Sequence, residues 1–150
     1  MKVHDALEAF FARHSMDRAG YRAPRLIVML GPLPLPFPNP GWLPLHDMHH
    51  VALALPPTFW GEVEISAFEL RTGARTALIA FLCIGALFFG ALLNPLRVAS
   101  AWRRYAGTRN LYREERYDAL LGMELEDLRA YMRLPPLVDT GRGAPARSLP

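Results

Sequence analysis

Seventeen consecutive residues, Ala77 to Leu93, carry no charge, and any fold of this chain has to place them. Arg75 precedes the run and Asn94-Pro95 ends it. A helix that is apolar all round is normally hidden, by protein or by lipid. The run sits at the lower edge of the roughly 17–25 residues that cross a bilayer. Three readings are open: a central core helix, a membrane span, or a helix lining a lipid-sized cavity. Arginines flank both ends, so the distribution of positive charge gives no orientation.

The chemistry lies elsewhere. Three of the five histidines fall within His46-Asp47-Met48-His49-His50, and eleven residues separate His50 from Glu62. On a helix, His46 and His50 share one face a turn apart, close enough for two imidazoles to hold one cation. Pro56-Pro57 lies between these histidines and Glu62. If it is the bend of a helix hairpin, Glu62 returns beside His50.

At 100° per residue, Glu62, Ser66 and Glu69 share a narrow sector of the second helix, with Glu64 and Arg71 opposite, on the side expected to face water. A buried carboxylate is costly unless it is paired or binds metal. His46, His50, Glu62 and Asp47 are therefore the candidate ligands, and Glu69 is the candidate proton-handling or supporting carboxylate. Nitrogen and oxygen donors without thiolate suit Zn2+, Fe2+, Mn2+ or Co2+. An ordinary hydrogen-bonded His–carboxylate cluster is the competing reading, and the role of His49 is open. The H-D-x-x-H order is similar to the H-E-x-x-H of zinc proteases, but aspartate is one methylene shorter and reaches a metal-bound water poorly.

The remaining segments frame this centre. Leu7, Phe10 and Phe11 give a short amphipathic helix over residues 3–13. Leu26–Leu30 suits a strand, Gly31-Pro32 a turn, and Leu33, Leu35 and Phe37 alternate with prolines in an extended edge segment that lays one face on the core. Helices are expected over Leu45–Leu55, Phe59–Thr72 with Thr58 as cap and Gly73 as stop, Arg97–Ala106, Tyr117–Leu121 and Leu125–Met132. The fold class is mostly α: a compact helical domain over residues 1–136 with a central helix hairpin and a short N-terminal extended or β-hairpin segment, then a flexible tail over 137–150.

Cys83, the only cysteine, excludes an internal disulfide and any C-x-x-C site, and reads as a small core residue. The N-terminal residues have no long apolar run, so no signal peptide is expected and the protein is expected inside the cell. Of the 17 basic residues, 16 are arginine. Arg103, Arg104 and Arg109 belong to a cluster interleaved with Trp102, Tyr105 and Tyr112. Glu114, Glu115 and Asp118 dilute it, which argues against nucleic acid and for a solvated face, anionic lipid or an anionic headgroup.

His46-Asp47-x-x-His50, eleven residues and Glu62 together resemble the metal-binding signature of the Coq-four family of ubiquinone (coenzyme Q) biosynthesis proteins. The likeness extends to Gly61-Glu62-Val63-Glu64-Ile65, Phe68-Glu69-Leu70-x-x-Gly73 and Asn110-Leu111-Tyr112. It covers about residues 26–134, and includes Leu30-Gly31-Pro32-Leu33 and Phe37-Pro38-Asn39, which are similar to small bacterial relatives. The long N-terminal helical half of eukaryotic members is missing. The resemblance implies a helical protein holding a divalent metal, often taken as zinc, through His46, Asp47, His50 and Glu62. It implies an isoprenoid lipid or prenylated quinone precursor as ligand, with oxidative decarboxylation of its ring as the reaction. It further implies peripheral attachment to the cytoplasmic membrane face, and other quinone-biosynthesis proteins or a second copy as partners. The alternatives are a lipid-binding scaffold with a structural metal, or a metal-dependent hydrolase.

Overall fold

The structure, a computed structural model, describes residues 1–16, 18–30, 33–39 and 41–137. The expected Gly31-Pro32 turn and positions 138–150 of the expected tail lie outside them, as do the side chains of Leu33 and Leu35 that were expected to pack on the core. Among the described residues there are seven α-helices: α1 Val3–His14, α2 Leu43–Leu53, α3 Phe59–Thr72, α4 Ala77–Leu93, α5 Pro95–Arg104, α6 Tyr117–Gly122 and α7 Leu125–Tyr131. A 3-10 turn, Arg18–Arg22, leads into an antiparallel hairpin of β1 Arg25–Leu30 and β2 Leu33–Pro38, in which Arg25 pairs with Pro38 and Leu30 with Leu33. The fold is mostly helical, with the short hairpin near the N-terminus, as the sequence leads one to expect.

The helices pack in two groups. α1 lies on α2, α6 and α7, while α3 lies on α4 and α5. α2 also meets α3, so the seam between the groups runs along these two helices. Val3, Leu7 and Phe11 of α1, Met48 and Ala52 of α2, Phe68 of α3, and Leu111, Leu128 and Met132 are buried in one shared core.

The bend that sets α3 against α2 is written in the local sequence. Pro44 occupies the first turn of α2, where no backbone N–H is missed. The helix ends at Ala54 in a left-handed conformation, and the Leu55 amide returns to the His50 carbonyl. After Pro56-Pro57, the Thr58 hydroxyl oxygen accepts from the Gly61 amide and starts α3. Gly61 is required here: a Cβ at this position would lie 1.8 Å from the Pro56 carbonyl oxygen.

Two sequence readings are corrected, the first of them one of three left open. α4 is not a central core helix: within it only Ile79, Cys83 and Gly90 are buried, while Phe81, Ile84, Phe88, Phe89, Leu92 and Leu93 are exposed. No helix among the described residues is long and apolar enough to cross a membrane. A cavity of about 420 Å3 is lined by Arg18, Ala19, Tyr21 and Arg22. Gly90 brings α4 onto α3, where an added Cβ would meet Val63 Cγ1 at 2.7 Å.

The second correction concerns Glu64, expected to face water. It is buried, because α5 covers that side of α3. Arg97 donates to Glu64 Oε1 from Nε and Nη2 at 3.2 and 2.9 Å, and Arg104 donates to Oε2 at 3.1 Å.

Candidate metal centre

His46 and His50 stand one turn apart on α2, with ring centroids 4.9 Å apart and edge to face. Glu62, in the first turn of α3, puts one carboxylate oxygen before each ring. His50 Nε2 is 3.1 Å from Glu62 Oε1 and His46 Nε2 is 3.5 Å from Oε2. One donor atom from each of the three residues lies within 4.8 Å of the others. With metal–ligand distances of about 2.0–2.1 Å, donors at a tetrahedral angle are separated by about 3.3 Å. The two approaches, each to a different oxygen of Glu62, lie close to that value.

The far side of each ring decides which nitrogen is offered. His46 Nδ1 is 2.9 Å from Glu69 Oε1, and His50 Nδ1 is 3.1 Å from the Leu55 carbonyl oxygen. A carboxylate and a carbonyl can only accept, so both Nδ1 atoms carry the proton and donate. In the neutral rings the Nε2 lone pairs then point at the same place as the Glu62 oxygens. Metal-ligating histidines characteristically have their other nitrogen fixed in this way. Phe10 stacks on His50 at 5.6 Å and the Trp42 ring meets His46 edge-on at 5.6 Å, giving the group apolar walls.

The charges are adapted to this grouping. For Glu62, partial burial works to raise the pKa, but the facing imidazoles prevail and hold it down at about 2. Burial also acts to raise Glu69, yet the His46 and His49 rings hold its carboxyl well below the usual range. His46 is pushed down by burial and up by Glu69 and Glu62, and the carboxylates win. Without a cation, a proton on His46 supplies balancing positive charge; a bound cation would displace it.

The other expected site residues fall differently. Asp47 lies outside the three-residue group: its side chain is buried, burial raises its pKa, and the Tyr21 hydroxyl beside it lowers it in part. It faces the 3-10 turn because it is one position, or 100°, from His46 on α2. Glu69, expected as a supporting or proton-handling carboxylate, accepts from His46 Nδ1 and His49 Nδ1 behind the group. The expected headgroup arginines do not act together. Arg104 is engaged by Glu64, and Arg109 by Glu114 while lying over the Tyr131 ring; Arg103 is exposed.

His49 is the residue whose place the sequence left open. It is fully buried; its Nδ1 is 2.8 Å from Glu69 Oε1, and its Nε2 accepts from the Leu111 amide at 3.0 Å. Its spacing from His46 hinted at a shared neighbourhood, but nothing in the sequence marked the Leu111 amide or the Leu55 carbonyl as partners.

Cys83 completes the surroundings of Glu69, with Sγ 3.8 Å from Oε2. Burial, and then the Glu69 charge, push its thiol up from 9.0 to about 12. An acid whose pKa is raised by folding adds nothing below its unfolded value and opposes folding as pH rises from 9.0 towards 12. At pH 8 the native thiol should therefore react with iodoacetamide about a thousandfold more slowly than in urea, one decade for each unit of pKa. Equal rates in the two states would show an accessible thiolate.

The donor set fits a divalent cation of the Zn2+ class: two imidazole nitrogens and a carboxylate, no thiolate, and room left for a further ligand on the side where Glu62 is 43% exposed. Comparison of the chain with protein-family models, with curated proteins and with solved structures finds no match.

Proposed function

We propose that this chain is a metalloprotein that handles a prenylated aromatic acid, of the quinone-precursor class, at a membrane surface. One observation carries the reading. Two imidazoles, each with Nδ1 already committed to an acceptor, turn Nε2 towards the two oxygens of a single carboxylate. Zn2+ is the preferred ion, with Fe2+, Mn2+ and Co2+ as further candidates.

Bound there, the ion supplies Lewis acidity able to polarise a carboxylate and a phenol. The protein's own part is to hold the ion at His46, His50 and Glu62 and to limit water with Phe10 and Trp42. The catalytic form of the proposal is the oxidative decarboxylation implied by the resemblance to the Coq-four family, in which the ring carboxylate leaves as CO2 and a separate oxygen-donating oxidant is consumed as co-substrate.

Lipid contact is assigned to α4. Phe81, Ile84, Phe88 and Leu92 are spaced at i, i+3, i+7 and i+11, form one exposed stripe, and continue into exposed Leu96 of α5. An apolar face of this kind marks an interaction surface. Arg103 is available nearby on α5 for anionic headgroups. Attachment is then peripheral, on the cytoplasmic face. Because the apolar side chains of α4 lie outside rather than around a cavity, a second reading has support: a surface-bound scaffold in which the metal is structural.

Native purification followed by elemental analysis and lipid mass spectrometry tests the proposal. One divalent ion per chain with a co-purifying isoprenoid aromatic is expected. Vesicles of phosphatidylglycerol and phosphatidylcholine should float the protein, and Phe88→Glu with Leu92→Glu should abolish flotation without altering metal content. Neither metal nor lipid in native protein would refute the proposal.

A further inference from the structure

His49 and the Asn110-Leu111-Tyr112 segment do nothing in the function just proposed, yet they form the most tightly bonded polar structure next to the metal group. The Leu111 amide donates to His49 Nε2 at 3.0 Å. That nitrogen is therefore an acceptor, so the ring proton sits on Nδ1, which donates to Glu69 Oε1 at 2.8 Å. The same Glu69 oxygen accepts from His46 Nδ1 at 2.9 Å. The chain of bonds runs from a loop amide, through one histidine and one carboxylate, to a candidate ligand.

The loop end of this chain is fixed independently. Asn110 Nδ2 donates to the Gly73 carbonyl at 2.8 Å and to Thr72 Oγ1 at 3.0 Å, while Asn110 Oδ1 accepts from the Tyr112 amide at 3.2 Å. Arg75 Nη1 donates to the Tyr112 carbonyl at 3.0 Å. The His49 ring itself is held edge-on by Phe68 at 5.1 Å and Tyr112 at 4.9 Å. Asn110, Leu111 and Tyr112 are themselves buried, so Leu111 presents its amide at a place set by the end of α3.

We propose that His49 is not a metal ligand but a positioning residue: held by the Leu111 amide, it orients Glu69, and Glu69 in turn fixes His46 with Nε2 towards the metal. The inference rests on the metal reading and deepens it. It also gives the Asn-Leu-Tyr segment a role, as the fixed anchor of the ligand on α2. A buried carboxylate oxygen with two N–H donors has a defined orientation. With one donor removed, it can rotate and release His46 to turn its ring. Outer partners of this type typically change metal affinity by about 10–100-fold when lost.

The two bonds of His49 can be separated. The amide of asparagine lies where Nδ1 lies and can still donate to Glu69; the amide of glutamine reaches the Nε2 position and can still accept from Leu111. With Zn2+ as the probe and a competing chromophoric chelator, His49→Gln should weaken affinity by about 10–100-fold. His49→Asn keeps the bond to Glu69 but loses the Leu111 anchor, so it should weaken affinity by less than His49→Gln does, while amide exchange at Leu111 accelerates. Equal weakening by both, weakening by neither, or weakening by Asn alone would overturn the assignment.

A second measurement needs no variant. In imidazole 15N spectra, Zn2+ should shift Nε2 of His46 and His50 while His49 keeps its Nδ1–H tautomer throughout. A Zn2+-dependent change at His49 Nε2 would make it a ligand and end the proposal. No change at any of the three rings would instead remove the metal reading on which the proposal stands.

Discussion

Replacing His50 with alanine should lower Zn2+ affinity by more than about 100-fold, beyond the range seen when only an outer partner of a ligand is lost. His50 supplies the closer of the two imidazole–Glu62 approaches, at 3.1 Å, and its proton is held by the Leu55 carbonyl within the same bend. Without it, His46 and Glu62 alone remain from the group. The loss should also be visible in stability. An ion at 100 times its dissociation constant adds about 2.7 kcal/mol, which for a chain of this size is roughly 5–11 °C in melting temperature. That metal-dependent increment should disappear in His50→Ala, while His4→Ala, at an exposed position on α1, should retain it. Unchanged affinity in His50→Ala would show that the three side chains form a hydrogen-bonded cluster and nothing more. Quinone output measured in cells carrying the variant separates the two functional forms. Lost output with an intact fold supports catalysis; loss of both supports a structural ion.

Gly61→Ala is expected to be at least as damaging although it removes no ligand. The added methyl would overlap the Pro56 carbonyl, a backbone atom that cannot swing aside. Relief requires α3 to move away from the bend, and Glu62 is the next residue. Overpacking of this kind costs about 3 kcal/mol at the upper end of the usual range, or roughly 6–12 °C in melting temperature. Metal affinity should fall together with stability, because the Glu62 oxygens leave their places before His46 and His50. Gly85→Ala is the matched control: it adds the same methyl on α4, where a Cβ meets nothing within 4 Å. A stable, metal-binding Gly61→Ala protein would show that the bend is softer than its geometry implies.

The sequence was most legible where single residues punctuate the chain. Phe59–Thr72 was placed correctly because Thr58 and Gly73 mark its two ends, and Ala77–Leu93 because charge stops before it and Asn94-Pro95 follows. The convergence of Glu62 on His46 and His50 follows from helical spacing and one bend. Boundaries drifted where proline plays a double part: α2 begins at Leu43 and α5 at Pro95, each two residues before the expected start, since proline is welcome in a first turn. What a helical wheel cannot supply is the identity of the neighbour. It sorted Glu64 to the side away from Glu62 and Glu69, but could not tell that α5 would lie there with Arg97 and Arg104. It could not tell that most of α4 would be left uncovered. The place of His49 was unreadable for the same reason, because its partner is a backbone amide 62 positions away.

The missing side chain at Gly90 sets how firmly the exposed helix is joined to the rest of the molecule. Val63 fills the space directly beneath it, and Val63 adjoins Glu62 in the chain. The exposed helix and the candidate ligand Glu62 thus share one close-packed joint, and a bulkier residue at position 90 would pry that joint apart and disturb both.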